Sequence, residues 1–535
     1  MKEALSEQMA DVSLVEGVNK RRITIGALIQ AIYTLMSRIA GMIRDVLTFH
    51  IFGVGAFTDA FNIAFTIPNV LRRFFAEGAF AVAFVPVFMT SKEKEGKDHA
   101  HLFFRDAFGF LVLLVAVVCI VGIVFSPLLV KLFAYGFSYN PEQFALTNIM
   151  TKWFFPYVFM VSIVALFGAY LQCHNRFSAM AAAPIFLNLG MILAMCLCAQ
   201  WFNPPIMVLC LGVLLGGVLQ CILLFISLKQ AGLWAWPRFC FNTKAMKHLI
   251  RLLGPALFGV FVYQLNIMVL RQLASFLGEG QISYYYNADR LTQFATGVFG
   301  VSIATAAMPE LSKGAAQIAR KTFFDTLRFT LLITSFVITP SAIGLMVFAY
   351  PIVSVLYVHG AFTSQDAMHT AHTLIAFAPS LVAFSLSRPV IQAFYAQSDT
   401  RTPVLVGIIT VFLNLGFGLM LIKYEIMGLA ATLSISSFIQ YFILLYLFKK
   451  KSNNDFYTAL LKPLLAHAAL ALGACAVALF PAKLANWHEG FCTRNAVVLV
   501  LSSCVAGLSY LSFAYVFKLD EARKFIHALK VRLFK

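Results

Sequence analysis

Apolar runs of about 20 residues, each long enough to cross a hydrocarbon core of roughly 30 Å, recur from one end of this chain to the other. The runs are continuous and do not alternate, so the pattern predicts membrane-spanning helices rather than barrel strands. Polar breaks divide it into fourteen candidate spans, near 24–49, 57–89, 103–134, 149–173, 178–201, 206–228, 247–276, 281–311, 323–349, 369–396, 403–422, 427–448, 458–480 and 496–517. Several early spans exceed 25 residues and must tilt, bend or extend past the bilayer. Gly41, Pro68 and Pro255 are the expected bend points.

The pattern also repeats. FLNLG occurs at Phe186–Gly190 and again at Phe412–Gly416, each time in the fifth span of a set of six and after a short polar break. Pro156 matches Pro379 and Pro86 matches Pro309 at nearly the same offset, and the approach Gly55–Asn62 resembles Gly280–Asn287. The expected organisation is an N-terminal segment 1–23, a six-span lobe 24–229, a second lobe 230–449, an appended span pair 450–517 and a tail 518–535. Six is even, so the two lobes share one orientation. Transporters built from such repeats bind substrate at the repeat interface near the midplane and alternate access by rocking the halves.

Composition sharpens the class. The chain is 60% hydrophobic and 12% charged, with mean hydropathy +0.83, far from the quarter or so of charged residues in an average soluble protein. The net charge of +18 does not point to nucleic acid, because no basic soluble domain is present to bind it. Lys and Arg instead collect in alternate short loops, among them Lys20–Arg22, Lys92–Lys97, Lys229–Lys247 and Lys449–Lys451, and again in the tail. That asymmetry predicts a multi-pass protein with both termini cytoplasmic. The polar, partly acidic first 22 residues do not read as a cleaved signal peptide. Seven of the ten cysteines fall inside apolar runs with no C-x-x-C pair, and His99 and His101 lie in a charged loop without a third ligand, so neither a disulfide framework nor a metal is expected.

Against this background the stretch Ser37–Phe88 stands out, because it holds Arg38, Arg44, Asp45, Asp59, Arg72, Arg73 and Glu77 among apolar residues. A charge at the bilayer centre costs about 2.5–3.5 kcal/mol on insertion scales, so such residues face a bundle interior or a wet cavity and point to a polar ligand. On a helical wheel Arg38 and Asp45 share a face while Arg44 points to another, which pairs Asp45 with Arg38; Arg73 and Glu77 are four apart and can pair likewise. In the second lobe Asp289 and Arg290 adjoin in YYYNADRL, and Arg388 stands in SLSRPVIQ with no acid in its own span. The surplus of arginine selects an anion, because the planar guanidinium forks onto phosphate or carboxylate and stays charged. Arg38, Arg44, Arg72, Arg290 and Arg388 are the expected substrate contacts, with Asp45, Asp59, Asn69, Arg73, Glu77 and Asp289 in support. No phosphate-binding G-x-x-x-x-G-K-[ST] loop and no acid/base couple of carboxylates is evident, which disfavours ATP driving and enzyme chemistry. No cofactor is expected; energy would come from the membrane potential or a gradient of ions or substrate.

SRIAGMIRD, the TDAF at Thr58–Phe61, IPNVLRRFFAEGAFAVAFVPVF, and YYYNADRL through GVFGVSIATAAMPELS resemble the MurJ/MviN family of lipid II flippases, in the multidrug/oligosaccharidyl-lipid/polysaccharide exporter superfamily. The resemblance covers nearly the whole chain, including the NPP loop at Asn203–Pro205. It implies a carrier that moves the undecaprenyl-diphosphate-linked disaccharide-pentapeptide of peptidoglycan across the bacterial cytoplasmic membrane. It places the family's cavity arginines on Arg38, Arg44, Arg72 and Arg290, with Asp59 and Glu77 also important, and the lipid tail along the last two spans. A monomer associated with cell-wall synthesis proteins is the expected state. Span seven departs from members that carry an acidic sodium ligand there: it reads FGVFVYQLNIMVL, with Gln264 and Asn266 as its polar groups, so a sodium site of that kind is not expected, while the membrane potential, or protons through Asp59 or Glu77, stay open as drivers. Two alternatives remain at this stage. A cation-coupled exporter of drugs or other polysaccharide lipids would prefer acidic or aromatic cavities, and a membrane-embedded glycolipid transferase or polymerase would make glycan product.

Overall fold

The structure, a computed structural model, describes residues 30, 32–74, 79–296, 320–452, 458–519, 521 and 523. Among these the chain is all-helical, with no strand. The helices are α1 (32–52), α2 (Ala56–Arg72), α3 (Ala79–Lys94), α4 (Lys97–Val124), α5 (Ser126–Ala134), α6 (Pro141–Gln172), α7 (Ser178–Cys198), α8 (Val208–Gln230), α9 (Lys244–Ala274) and α10 (Gln281–Ala295). They continue as α11 (Arg320–Val347), α12 (Ala349–Tyr357), α13 (Ser364–Ala396), α14 (Arg401–Leu421), α15 (Glu425–Ser452), α16 (Thr458–Ala482) and α17 (Thr493–Val516).

Nine stretches among the described residues are helical, long and apolar enough to cross a membrane; one of them, Arg401–Lys450, is α14 and α15 in succession. The protein is a multi-pass membrane protein. Several details differ from the pattern of runs, the two at α4 among them. The span expected at 103–134 divides at Phe125 into α4 and α5, with Pro127 in the first turn of α5, where its missing N–H interrupts no helical bond. His99 and His101 lie on α4 rather than in a loop, His101 Nδ1 sitting 2.9 Å from Tyr170 Oη. Among the described residues no group of three or more His, Cys, Asp or Glu could hold a metal ion.

The chain forms two compact units. The first draws on Met1–Thr48, Ile63–Val130 and Ala145–Phe261, the second on Phe49–Asn62, Lys131–Phe144 and Val262–Lys535. In the first unit the core is aromatic: Phe84 stacks on Phe103, Phe104 lies flat on Tyr170 at 3.8 Å between ring centres, and Trp234 packs against Phe108, Phe167 and Phe225. The segment after α8 is strapped to α4, with Arg238 Nε on buried Asp106 at 2.6 Å and Arg238 N on the Arg105 carbonyl at 2.9 Å. In the second unit α11, α13 and α15 share one core around Phe323, Phe394 and Phe448. There α16 and α17 pack on α11, where Tyr510 Oη donates to the Phe336 carbonyl at 2.9 Å.

Helices α7 and α8 approach backbone to backbone. A Cβ at Gly190 would fall 2.4 Å from Gly216 N, so only glycine permits this packing. Gly190→Leu is therefore expected to cost at least about 1–3 kcal/mol by overpacking and to cut the yield of monodisperse protein in size-exclusion chromatography. Unchanged yield and melting temperature would show that the two helices can separate without penalty.

Candidate functional site

In the first unit the site is built on α1. Arg44 and Asp45 are both almost fully buried, at 6% and 3% exposure. Arg44 donates from Nε (3.1 Å) and Nη2 (2.5 Å) to Asp45 Oδ1, and from Nη1 to Asn188 Oδ1 on α7 at 3.1 Å, with Met191 Sδ at 3.7 Å. Asn188 in turn donates from Nδ2 to the Ser37 carbonyl at 3.1 Å. Arg44 and Asp45 point to different faces on the wheel, yet the structure joins them. The 100° between neighbouring Cα positions is bridged because the arginine stem is long enough to curl round the helix, and burial favours the shortest route to an opposite charge.

Arg38 is half-buried on the same helix. On α2, Asn69 Oδ1 accepts from Arg72 Nε at 3.2 Å while its Nδ2 holds the Phe65 carbonyl at 2.9 Å, so an amide one turn back aims the Arg72 side chain. Arg73 is half-buried beside it, and Glu77 lies outside the described residues.

The remaining predicted residues belong to the second unit. Asp59 is 1% exposed, and its carboxylate receives Gly280 N (2.7 Å), Ser283 N (2.8 Å) and Ser283 Oγ (2.7 Å). Asn62 Nδ2 completes the cluster by donating to Ser283 Oγ at 3.0 Å. Those amides are orphan donors at the start of α10, entered through Gly280 in the left-handed region at φ +84°, so Asp59 caps a helix from another part of the chain. On α10 Asp289 accepts from Gln293 Nε2 at 2.7 Å, and Arg290 is half-buried beside it. Arg388 on α13 is exposed, between buried Ser387 and Pro389.

On α9 the polar groups noted for span seven are uncharged. Asn266 Oδ1 accepts from Asn414 Nδ2 at 2.7 Å, Ser436 Oγ donates to Asn414 Oδ1, and buried Gln264 has its Oε1 without a partner. Asn188 and Ser283 escaped the sequence reading. The repeated FLNLG was the available signal for the first, since it places Asn188 and Asn414 at the same point of both copies; Ser283 carries no comparable mark.

A family model for the lipid II flippase MurJ matches residues 49–498. The chain belongs to that family. A curated relative from Haemophilus influenzae, a probable lipid II flippase MurJ, is 34% identical over 477 residues, covering 85% of this chain and 92% of its own. A solved structure of a lipid II flippase MurJ in an inward closed conformation superposes with TM-score 0.78 at 27% identity, covering 92% of this chain and 99% of that one. An inward-facing multidrug transporter of the MATE family and MOP superfamily shares the fold alone, with TM-score 0.66 at 11% identity over 80% of this chain and 98% of its own. Members of the MurJ family are flippases, transporters rather than enzymes.

Proposed function

We propose that this protein carries lipid II from the inner to the outer leaflet of the bacterial cytoplasmic membrane by alternating access. The observation that carries the mechanism is the Arg44 guanidinium, kept charged and oriented inside the first unit by Asp45 and Asn188. Arg38, Arg44 and Arg72 contact the diphosphate, and Arg290 and Arg388 are further candidate substrate contacts. In support, the planar fork of arginine matches phosphate oxygens and remains charged at every relevant pH. Asp45 holds Arg44 while no substrate is bound and yields to the stronger anion.

The membrane potential or an ion gradient drives the cycle, and α16 and α17 face the lipid tail. Both termini lie in the cytoplasm on this reading, which the loop distribution of Lys and Arg supports. Both repeats lie in one chain, which fits a working monomer beside cell-wall synthesis proteins.

Native mass spectrometry of the purified protein tests the assignment. Lipid II is expected to co-purify with the parent and to be lost from Arg72→Ala. Cells depleted of the protein should regain growth with the parent or with Lys450→Glu, and should fail with Arg38→Glu, Arg72→Glu or Arg290→Glu. Equal rescue by all of them would overturn the arginine site.

A further inference from the structure

We propose that Asn188 is a positioning residue that presents the Arg44 guanidinium to the anionic headgroup. This rests on the lipid II reading above.

Asp45 grips one edge of Arg44, through Nε and Nη2, and a bond to a single carboxylate oxygen leaves the guanidinium a direction in which to pivot. The second point is Asn188 Oδ1 on Nη1, and the same amide is anchored by its Nδ2 on the Ser37 carbonyl. Ser37 lies seven residues before Arg44, two turns back on nearly the same face of α1. Asn188 therefore draws the Arg44 side chain back along α1, toward the turn that also carries Arg38. The amide itself is fixed: it is 5% exposed, on a helix locked to α8 through Gly190 and Gly216.

A neutral acceptor suits this task better than a second acid. It orients the cation without neutralising it, so its bond to Nη1 survives when a phosphate displaces Asp45 from the other edge. The second FLNLG copy supplies the comparison. Asn414 is equally buried and equally engaged, but its partner on α9 is the neutral Asn266, not an arginine. Both asparagines tie the fifth helix of a set to the first, and one of them also aims a charge.

Parent, Asn188→Leu, Asn414→Leu and Asn188→Asp, each as the full chain in detergent, are compared for lipid II affinity by native mass spectrometry and for thermal unfolding. Both leucine variants should melt earlier by similar amounts, because each loses a buried hydrogen-bonded amide. Only Asn188→Leu should weaken lipid II binding, by about tenfold or more. Asn188→Asp keeps an acceptor for Arg44 and so covers the case in which the leucine variant does not fold. It should also bind less tightly, because a second carboxylate neutralises the cation. Asn188→Leu or Asn188→Asp binding within about threefold of a parent that binds would overturn the positioning role, as would an equal loss of binding in Asn414→Leu. A parent that retains no lipid II would instead sink the functional reading on which the role depends.

Discussion

Asp59→Ala is expected to lower stability by about 3–5 kcal/mol, because it leaves three donors at the buried start of α10 without an acceptor, each worth roughly 1–3 kcal/mol when orphaned. The three are Gly280 N, Ser283 N and Ser283 Oγ. The loss should appear as a much lower melting temperature and a smaller monodisperse fraction in detergent. Asp59→Asn should recover less than half of it, since the amide keeps one acceptor oxygen but turns an NH2 group toward donors. A variant that folds and melts like the parent, yet no longer transports, would assign Asp59 to ion coupling and refute the capping role.

The second large effect concerns the buried pair on α1. Asp45→Leu is expected to cost about 3–5 kcal/mol, because it removes the carboxylate bonded to the Arg44 cation, which is 6% exposed. Arg44→Leu should be nearly as damaging, since it removes the cation bonded to the buried Asp45 carboxylate. The double variant Arg44→Leu/Asp45→Leu should recover much of the stability, because replacing both members of a buried ion pair removes the desolvation cost along with the attraction. It should not recover lipid II binding. Thermal unfolding together with lipid retention separates the two properties, and additive losses in the double variant would show that the pair is not coupled.

The helical class and the arginine-bearing stretches were legible from the sequence because both follow from hydropathy, which is a local property. Arg72 with Asn69, one turn apart on α2, was within reach of the same local logic. The bond from Arg44 to Asp45 was missed because a helical wheel tracks Cβ directions and ignores how far the arginine stem can travel. Partners far along the chain were harder to read: Ser283 lies 224 residues from Asp59, and nothing near it in sequence marks it as the acid's partner. Asn188 was the exception, since its recurrence as Asn414 announced it, although the recurrence was read only as evidence of duplication.

Residues 49–62 belong to the second unit although they are made with the first. Asp59 leaves the ribosome 224 residues before Ser283. At about 5–20 residues per second, its carboxylate waits roughly 10–45 s for the amides it will cap. His50, whose carbonyl receives Ala361 N at 2.9 Å, waits longer still. Through that interval the junction of α1 and α2 must stay hydrated at the membrane edge or be sheltered by the insertion machinery. The second unit can close around it only after most of the chain has been made.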